Sequence, residues 1–180
     1  EEGFLESLFG IGLSYGLTSE MTFEEFENNL SMQNKMLEIA YKLARSSNDS
    51  GHRKFLESIS VWIDIDASRD LWVQIDTYRV GISKQSESTM HTITKRHLTQ
   101  ADFDDEIFDC TLEKLNEAID AKDWRKTKKN LPEGFLQRRI VCTNYKTLSH
   151  MTQQRKNHKL QEWHTFIDEI KVQLAHPEML

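Results

Sequence analysis

Cysteine is scarce in this 180-residue chain: Cys110 and Cys142 are the only two, and they lie far apart. That excludes a disulfide framework and a cysteine-built zinc site, and it fits a reducing interior. Proline is equally rare, at two residues, and both serve as stops, after Leu131 and after His176. No apolar run approaches the length of a bilayer span, which excludes a transmembrane protein. No basic segment leads into an apolar one at the start, so no signal peptide is expected and the expected location is cytoplasmic. Excess positive charge is missing too. Lys plus Arg number 23 against 29 for Asp plus Glu, a net −6, which argues against bulk nucleic-acid binding. The usual catalytic signatures are absent: no P-loop, no G-x-S-x-G, no H-E-x-x-H, and no metal site by spacing. Gly3, Gly10, Gly12 and Gly16 do not form a dinucleotide fingerprint, and no strand precedes them.

What is present suits one globular domain over residues 1–180, with 38% apolar residues, four Trp, nine Phe and four Tyr. A chain of this length buries about 70% of its unfolded surface. Residues 1–18 read as an apolar opening segment with turns. Thr22 with Glu25 predicts a capping box, followed by a helix or broken pair to about Arg45. Residues 46–51 read as a loop by composition, and 52–57 as a short helical turn or strand lead-in. From 59 to 66, Ile59, Val61, Ile63 and Ile65 alternate with polar or outward residues, the clearest strand signal in the chain. Ser68 predicts a cap for a helix carrying Leu71, Trp72, Ile75 and Tyr78. Val80–Thr92 reads as a loop, Thr99–Ala121 as one helix or two, and Gly134–Thr143 as a helical turn leading to a short strand at Ile140–Cys142. Asn144 opens a further helix, and a last one runs from about Leu160 to Leu174. The sum is an α+β fold in which a small sheet packs with several helices. One strong strand cannot make a sheet, so either weak strands complete it or other subunits do.

Charge is clustered. Residues 101–123 are acidic, and 124–159 carry ten Lys and Arg residues, among them Lys128, Arg138, Arg139, Lys146 and Arg155. Two readings stay open: a solvated helix face, or a pocket for a small anion such as a nucleotide phosphate, for which a few convergent cations suffice. Between Gln74 and His91, Arg79, Ser83, Gln85, Ser86 and Ser88 offer an arginine fork and hydroxyls in a turn containing Gly81. Lys146 and His150, four apart, share a helix face. Cys110 sits in an acidic helix, which raises a thiol pKa, and Cys142 sits in an apolar triplet and reads as core.

In order, these pieces resemble the flavin-dependent thymidylate synthases, and within them a phage-associated ThyX-like branch. The resemblance runs from about His52 to Leu180. Family members show a His and then a Glu (His52, Glu57), an alternating strand, and a helix with a Gln (Gln74). The motif R-H-R-x-x-S-x-N-E-x-S-x-R-Y follows. Here Thr77-Tyr78-Arg79 stand at R-H-R, and after one extra residue Ser83 and Ser88 fall on the two Ser positions. A second anchor is Leu131-Pro132, then Asn144, Leu148, Arg155 and Gln161 at the family spacing. The departures are Thr77, Tyr78, Gln85, Ser86, Met90 and His91 within the motif, and Lys128 where the family has Arg. Fold and a nucleotide–flavin pocket therefore transfer better than the reaction.

The resemblance implies a ThyX-like homotetramer with FAD and dUMP between subunits, methylenetetrahydrofolate as one-carbon donor and NADPH as reductant. It implies Arg155 as the catalytic residue, polarising the uracil ring, since a guanidinium stabilises a developing anion without changing protonation. Gln74, Ser86, Ser88, Lys128 and Arg155 would contact the substrate, Ser88 and Lys128 at its phosphate. His52, Glu57, Tyr78, Arg79, Asn144, Lys146 and His150 would line the flavin. No cysteine nucleophile is required. The degraded motif leaves two alternatives: another one-carbon modification of a pyrimidine nucleotide, such as hydroxymethylation, or a silent nucleotide-binding homologue. The setting it suggests is the cytoplasm of a bacterial or phage-infected cell.

Overall fold

In a computed structural model, residues 1–47 and 50–180 are described. The elements in order are α1 (Phe4–Ser14), α2 (Phe23–Glu27), α3 (Leu30–Ala44), a 3-10 turn (Gly51–Glu57), β1 (Ser60–Ser68), α4 (Arg69–Ile75), β2 (Ser83–Ser86), α5 (Thr89–Thr92), α6 (Asp109–Asp120), α7 (Trp124–Lys129), β3 (Leu136–Asn144), α8 (Tyr145–Arg155) and α9 (Gln161–Gln173), with short 3-10 turns at Gln100–Asp102 and Pro177–Met179. The three strands form one small antiparallel sheet in the order β1-β3-β2, and the whole is a helix-rich α+β structure. The two weak strands that complete the sheet come from this chain itself.

Two compact units are resolved. The first holds Glu1–Trp62, Val80–Ser83 and Cys142–Leu180; the second holds Ile63–Arg79 and Lys84–Val141. The first unit is helical. Leu8, Phe26, Met36, Leu56, Tyr145, Leu148, Met151 and Trp163 are among its most buried large side chains. Both capping signals near its start are realised: Thr22 and Glu25 close a reciprocal box at α2, and Asn29 accepts from Met32 N at the start of α3. The broken pair is therefore broken at Asn28–Asn29, where the α2 C-terminus meets the α3 cap.

The opening segment is a correction. Residues 4–14 form a helix of eleven residues, not a set of turns. Gly10 and Gly12 lower the helical signal, since glycine disfavours helix. Packing overrides propensity here: Ser7, Leu8, Ile11 and Gly12 are buried, and a side chain at Gly12 would run into Thr18. The predicted 46–51 loop lies partly outside the described residues, at Asn48 and Asp49. The turn at 51–57 is helical, as one of its two readings had it.

In the second unit, Ser68 caps α4 by accepting from Leu71 N at 3.1 Å, and Leu71, Trp72 and Ile75 turn inward. Trp72 is almost wholly buried and donates from Nε1 to Gln137 O at 2.7 Å. A second apolar cluster gathers Ile93, Leu98, Phe103, Leu115, Ile119, Leu131 and Phe135. Three expectations are corrected in or beside this unit. Val80–Thr92 contains β2 and α5 rather than loop alone; its Ser and Gln residues carry little strand propensity, and pairing to β3 supplies what propensity lacks. Within Thr99–Ala121 only Asp109–Asp120 is α-helix, because the Thr99–Asp102 box caps a single 3-10 turn. The segment after Gly134 is a nine-residue strand from Leu136, masked by Arg138 and Arg139 on a strand that alternates exposure. Cys142, expected as core, is half-buried, and Cys110 is exposed.

Candidate functional site

In the second unit one residue of the expected substrate set, Lys128, lines a pocket. The α4 N-terminus is tied to the Leu131–Phe135 stretch: Arg69 N donates to Phe135 O, Asp70 N to Glu133 O, and Arg69 Nη1 to Leu131 O at 2.8 Å. That pinning places Arg69 beside Lys128 of α7. Together with Thr89, Leu131, Phe135 and Gln137 they line a pocket of about 180 Å³. Thr89 directly follows Ser88, but Ser88 itself lines neither this pocket nor the next. An adjoining pocket of about 220 Å³ shares Thr89, Phe135 and Gln137 and adds Asp66, Glu87, Arg96, Asp102 and Arg138.

The charges of this second pocket are mostly matched. Arg138 forks onto Asp64, with Nε at 2.8 Å from Oδ1, and Arg96 forks onto Asp102. The Arg96 hydrogen bond holds the Asp102 carboxyl below the usual range, with Thr99 assisting. Asp66 moves the other way. Burial raises its carboxyl, opposed by Arg138 and aided by the charges of Glu87, Asp64 and Asp102.

Gln74 is half-buried on α4 and Ser86 is exposed on β2; neither lines these pockets. Tyr78 is buried and Arg79 exposed. Beside them lies a network that the sequence did not single out. Arg139 sits 4.4 Å over the Trp72 ring, donates to Gln137 Oε1 at 2.8 Å, and lies 3.3 Å from Asp76, which also pairs with Lys84 at 2.8 Å. Burial opposes ionisation of Asp76, yet the Lys84 hydrogen bond and the charges of Lys84 and Arg139 leave its carboxyl below the usual value.

The first unit brings together much of the predicted flavin set. The 3-10 turn Gly51–Glu57 packs on α8. Glu57 and Lys146 form an ion pair between these elements at the surface, where His52 and His150 are also exposed. Asn144 is fixed by its own helix, accepting from Thr147 N at 2.9 Å as the cap of α8. The turn after Arg79 reaches the same end of α8. Thr143 Oγ1 donates to Gly81 O at 2.9 Å, and Thr147 Oγ1 to Val80 O at 3.3 Å. Gly81 has φ 69°, and a Cβ there would stand 2.6 Å from Thr147 Oγ1 and 2.9 Å from Asn144 Nδ2, so this approach requires glycine. Arg155 is half-buried at the end of α8, its guanidinium 5.1 Å from the Trp163 ring centroid.

Two groups stood outside the sequence reading. Arg69 follows a helix cap, which says nothing about a pocket. Arg53, on the turn beside His52, is 3% exposed; its Nη2 donates to Ser149 Oγ, and its Nε is buried without a hydrogen-bond partner. An arginine among His, Lys and Phe carries no local signal of burial. No group of three or more His, Cys, Asp or Glu residues suited to a metal occurs among the described residues. None of the described helices is long and apolar enough to cross a membrane.

No family model and no curated protein matches the chain. Solved structures do. A crystal structure of the flavin-dependent thymidylate synthase ThyX from Helicobacter pylori, complexed with FAD and dUMP, superimposes with a TM-score of 0.76. The match covers 98% of this chain and 92% of that one at 15% identity. Another structure of the Helicobacter pylori ThyX with FAD and dUMP gives a TM-score of 0.72 over 97% and 90% at 14% identity. The chain therefore has a ThyX-like fold.

Proposed function

We propose that this chain, one ThyX-like domain of the phage-type branch, is a flavin-dependent thymidylate synthase-like enzyme. It transfers a one-carbon unit from methylenetetrahydrofolate to C5 of dUMP, with FAD as cofactor and NADPH as reductant. The observation that carries this reading is the meeting of Thr89, Arg69 and Lys128 at one small polar pocket, within a fold that follows ThyX along nearly its full length.

The residues fit such ligands in kind. Lys128 and Arg69 place two cations at a pocket of about 180 Å³, and the hydroxyl of Thr89 supplies a donor beside them. Gln74 and Ser86 line neither pocket, and their part in holding the nucleotide rests on the resemblance alone. Arg155, braced on Trp163, polarises the pyrimidine carbonyl and stabilises the anion that develops when C5 becomes nucleophilic. On the flavin side, His52, Glu57, Lys146 and His150 lie at the surface of the turn and of α8, and the buried Arg53 adds a positive charge beneath them, which suits an anionic dinucleotide. Asn144, which caps α8, extends that face; Tyr78 and Arg79, in the second unit, are assigned to the flavin by the resemblance alone. Bound FAD supplies the hydride. Several copies of the chain, as a homotetramer in the bacterial or phage-infected cytoplasm, share the site between subunits.

The deciding experiment is the absorption spectrum of the purified protein, read with its mass by light scattering and an assay for dTMP from dUMP, methylenetetrahydrofolate and NADPH. A yellow tetramer that makes dTMP is expected, and Arg155→Ala should abolish turnover while leaving the flavin spectrum in place. A colourless protein that takes up no FAD and makes no dTMP sinks the reading. Ser86 and Met90, standing where the family has Glu and Arg, favour a second reading in which the same pocket yields a hydroxymethylated nucleotide. Mass spectrometry of the product separates the two.

A further inference from the structure

Arg53 is the least compensated charge among the described residues. Its side chain lies under the surface of the first unit, between the 3-10 turn Gly51–Glu57 and α8. Its neighbour in the chain, His52, is exposed, and so is His150, the neighbour of its partner Ser149. The guanidinium is therefore buried between two elements whose exposed residues include His52 and Glu57 on the turn and His150 on α8. It makes one hydrogen bond, to the neutral Ser149 hydroxyl, which Gln153 Nε2 also approaches at 3.1 Å. No carboxylate of the described residues pairs with it. Glu57, the nearest acid along the turn, is spent on Lys146.

Such a group is expensive. A buried cation costs several kcal/mol unless an opposite charge repays it, and the cost is large enough here that burial pulls the Arg53 pKa down. A purely structural arginine would be matched by an Asp or Glu, or replaced by an apolar side chain that packs equally well. Because its medium is poorly screening, the charge acts on the surface above it more strongly than an exposed lysine would.

We propose that Arg53 is a positioning residue of an anion site on the surface formed by the Gly51–Glu57 turn and α8, its missing counter-charge being the pyrophosphate of a bound dinucleotide. The identity of the dinucleotide, FAD, rests on the function proposed above; the anion site does not. Binding brings an opposite charge into the field of the guanidinium, with Lys146 and His150 in reach of the phosphates from outside and Ser149 holding the guanidinium from inside. The free protein bears the uncompensated charge, and the bound protein does not.

The test compares Arg53→Met, which keeps volume and removes charge, with Arg53→Lys, which keeps charge. Each is titrated calorimetrically at pH 6 with FAD and, separately, with inorganic pyrophosphate, and melted without ligand. A unit charge acting over about 10 Å at an effective dielectric of about 20 changes affinity about tenfold. Arg53→Met should therefore bind both ligands about tenfold more weakly while melting no lower than the parent, and Arg53→Lys should bind nearly as the parent does. Met and Lys variants that bind alike overturn the proposal, as does a full-strength pyrophosphate complex in the Met variant. Asp49→Asn serves as control, because residues 48 and 49 lie outside the described part. A melting loss in Asp49→Asn that Arg53→Met abolishes would identify a protein counter-ion and overturn the proposal too. FAD binding that ignores Arg53 removes this inference and leaves the flavin reading standing. Pyrophosphate binding that needs Arg53, in a protein that takes no FAD, does the reverse.

Discussion

The two units handle charge in opposite ways. In the second unit the charged groups are shallow and come in matched forks: Arg138 on Asp64, Arg96 on Asp102, Lys84 and Arg139 on Asp76. In the first unit the surface pair Lys146–Glu57 is matched, but the deeper Arg53 has no carboxylate partner among the described residues. Matched forks set the geometry of a pocket wall without storing much energy, since screened pairs contribute little net stability. An unmatched buried cation does the opposite: it lowers the stability of the free protein and gives it somewhere to gain on binding. The comparison teaches that the pockets around Phe135 are built to be shaped, while the turn against α8 is built to be completed.

The largest perturbation of that contrast is expected at Trp72. It is the buried hub of the second unit, bonding Gln137 O and carrying Arg139 on its ring. Trp72→Ala should cost about 3–5 kcal/mol by urea denaturation and should loosen the Arg69–Lys128 pocket, because Gln137 lines it. If instead the loss is below about 1 kcal/mol, the second unit is not organised around this side chain.

Gly81→Ala tests the first unit at its α8 end. The positive φ and the close Thr147 and Asn144 atoms predict a loss of about 1–3 kcal/mol in melting experiments. Gly10→Ala is the matching control. Nothing lies within 4 Å of its added methyl, so a mid-helix gain of up to about 1 kcal/mol is expected there. Equal effects at the two glycines would show that the approach to α8 is not what constrains Gly81.

The smallest effects concern pH, and they have opposite signs. The Asp76 carboxyl is held down in the fold, so its ionised form contributes stability above the unfolded pKa of about 3.9, and that contribution is lost as pH falls through the lower folded value. The Asp66 carboxyl is held up, so the folded chain retains its proton longer. Its penalty sets in as pH rises past the unfolded value and is complete above the folded one. Thermal melts at pH 7 should therefore show Asp76→Asn destabilised and Asp66→Asn stabilised, with the Asp76 difference fading toward pH 3. Both sites are partly exposed, so each shift should amount to a few degrees and shrink with salt. Shifts of the same sign would mean that the two carboxylates share one environment.

Much of the fold was legible because its signals are local. The Thr22–Glu25 box, the Ser68 and Asn144 caps, the alternation into β1 and the stop at His176-Pro177 each rest on residues a few positions apart, and the structure realises each of them. The strands β2 and β3 were not legible in full, because Ser83–Ser86 and Leu136–Asn144 owe their extended form to pairing rather than to their own propensity. The helix α1 was hidden by glycines whose small size serves packing against Thr18.

What the sequence by itself determined was the class of the fold, the ends of most helices and the order of pieces that resemble ThyX. Those properties follow from spacing and from backbone chemistry within a few residues of each position. Contacts between distant segments alone make Arg69 join Lys128 and Thr89 at one pocket, set Asp66 and Asp76 apart in acidity, and bury Arg53 with no carboxylate partner among the described residues. The reason is physical: burial and the distance between charges are set by chain segments far apart in sequence, and an arginine bears no local mark of how deeply it will be buried.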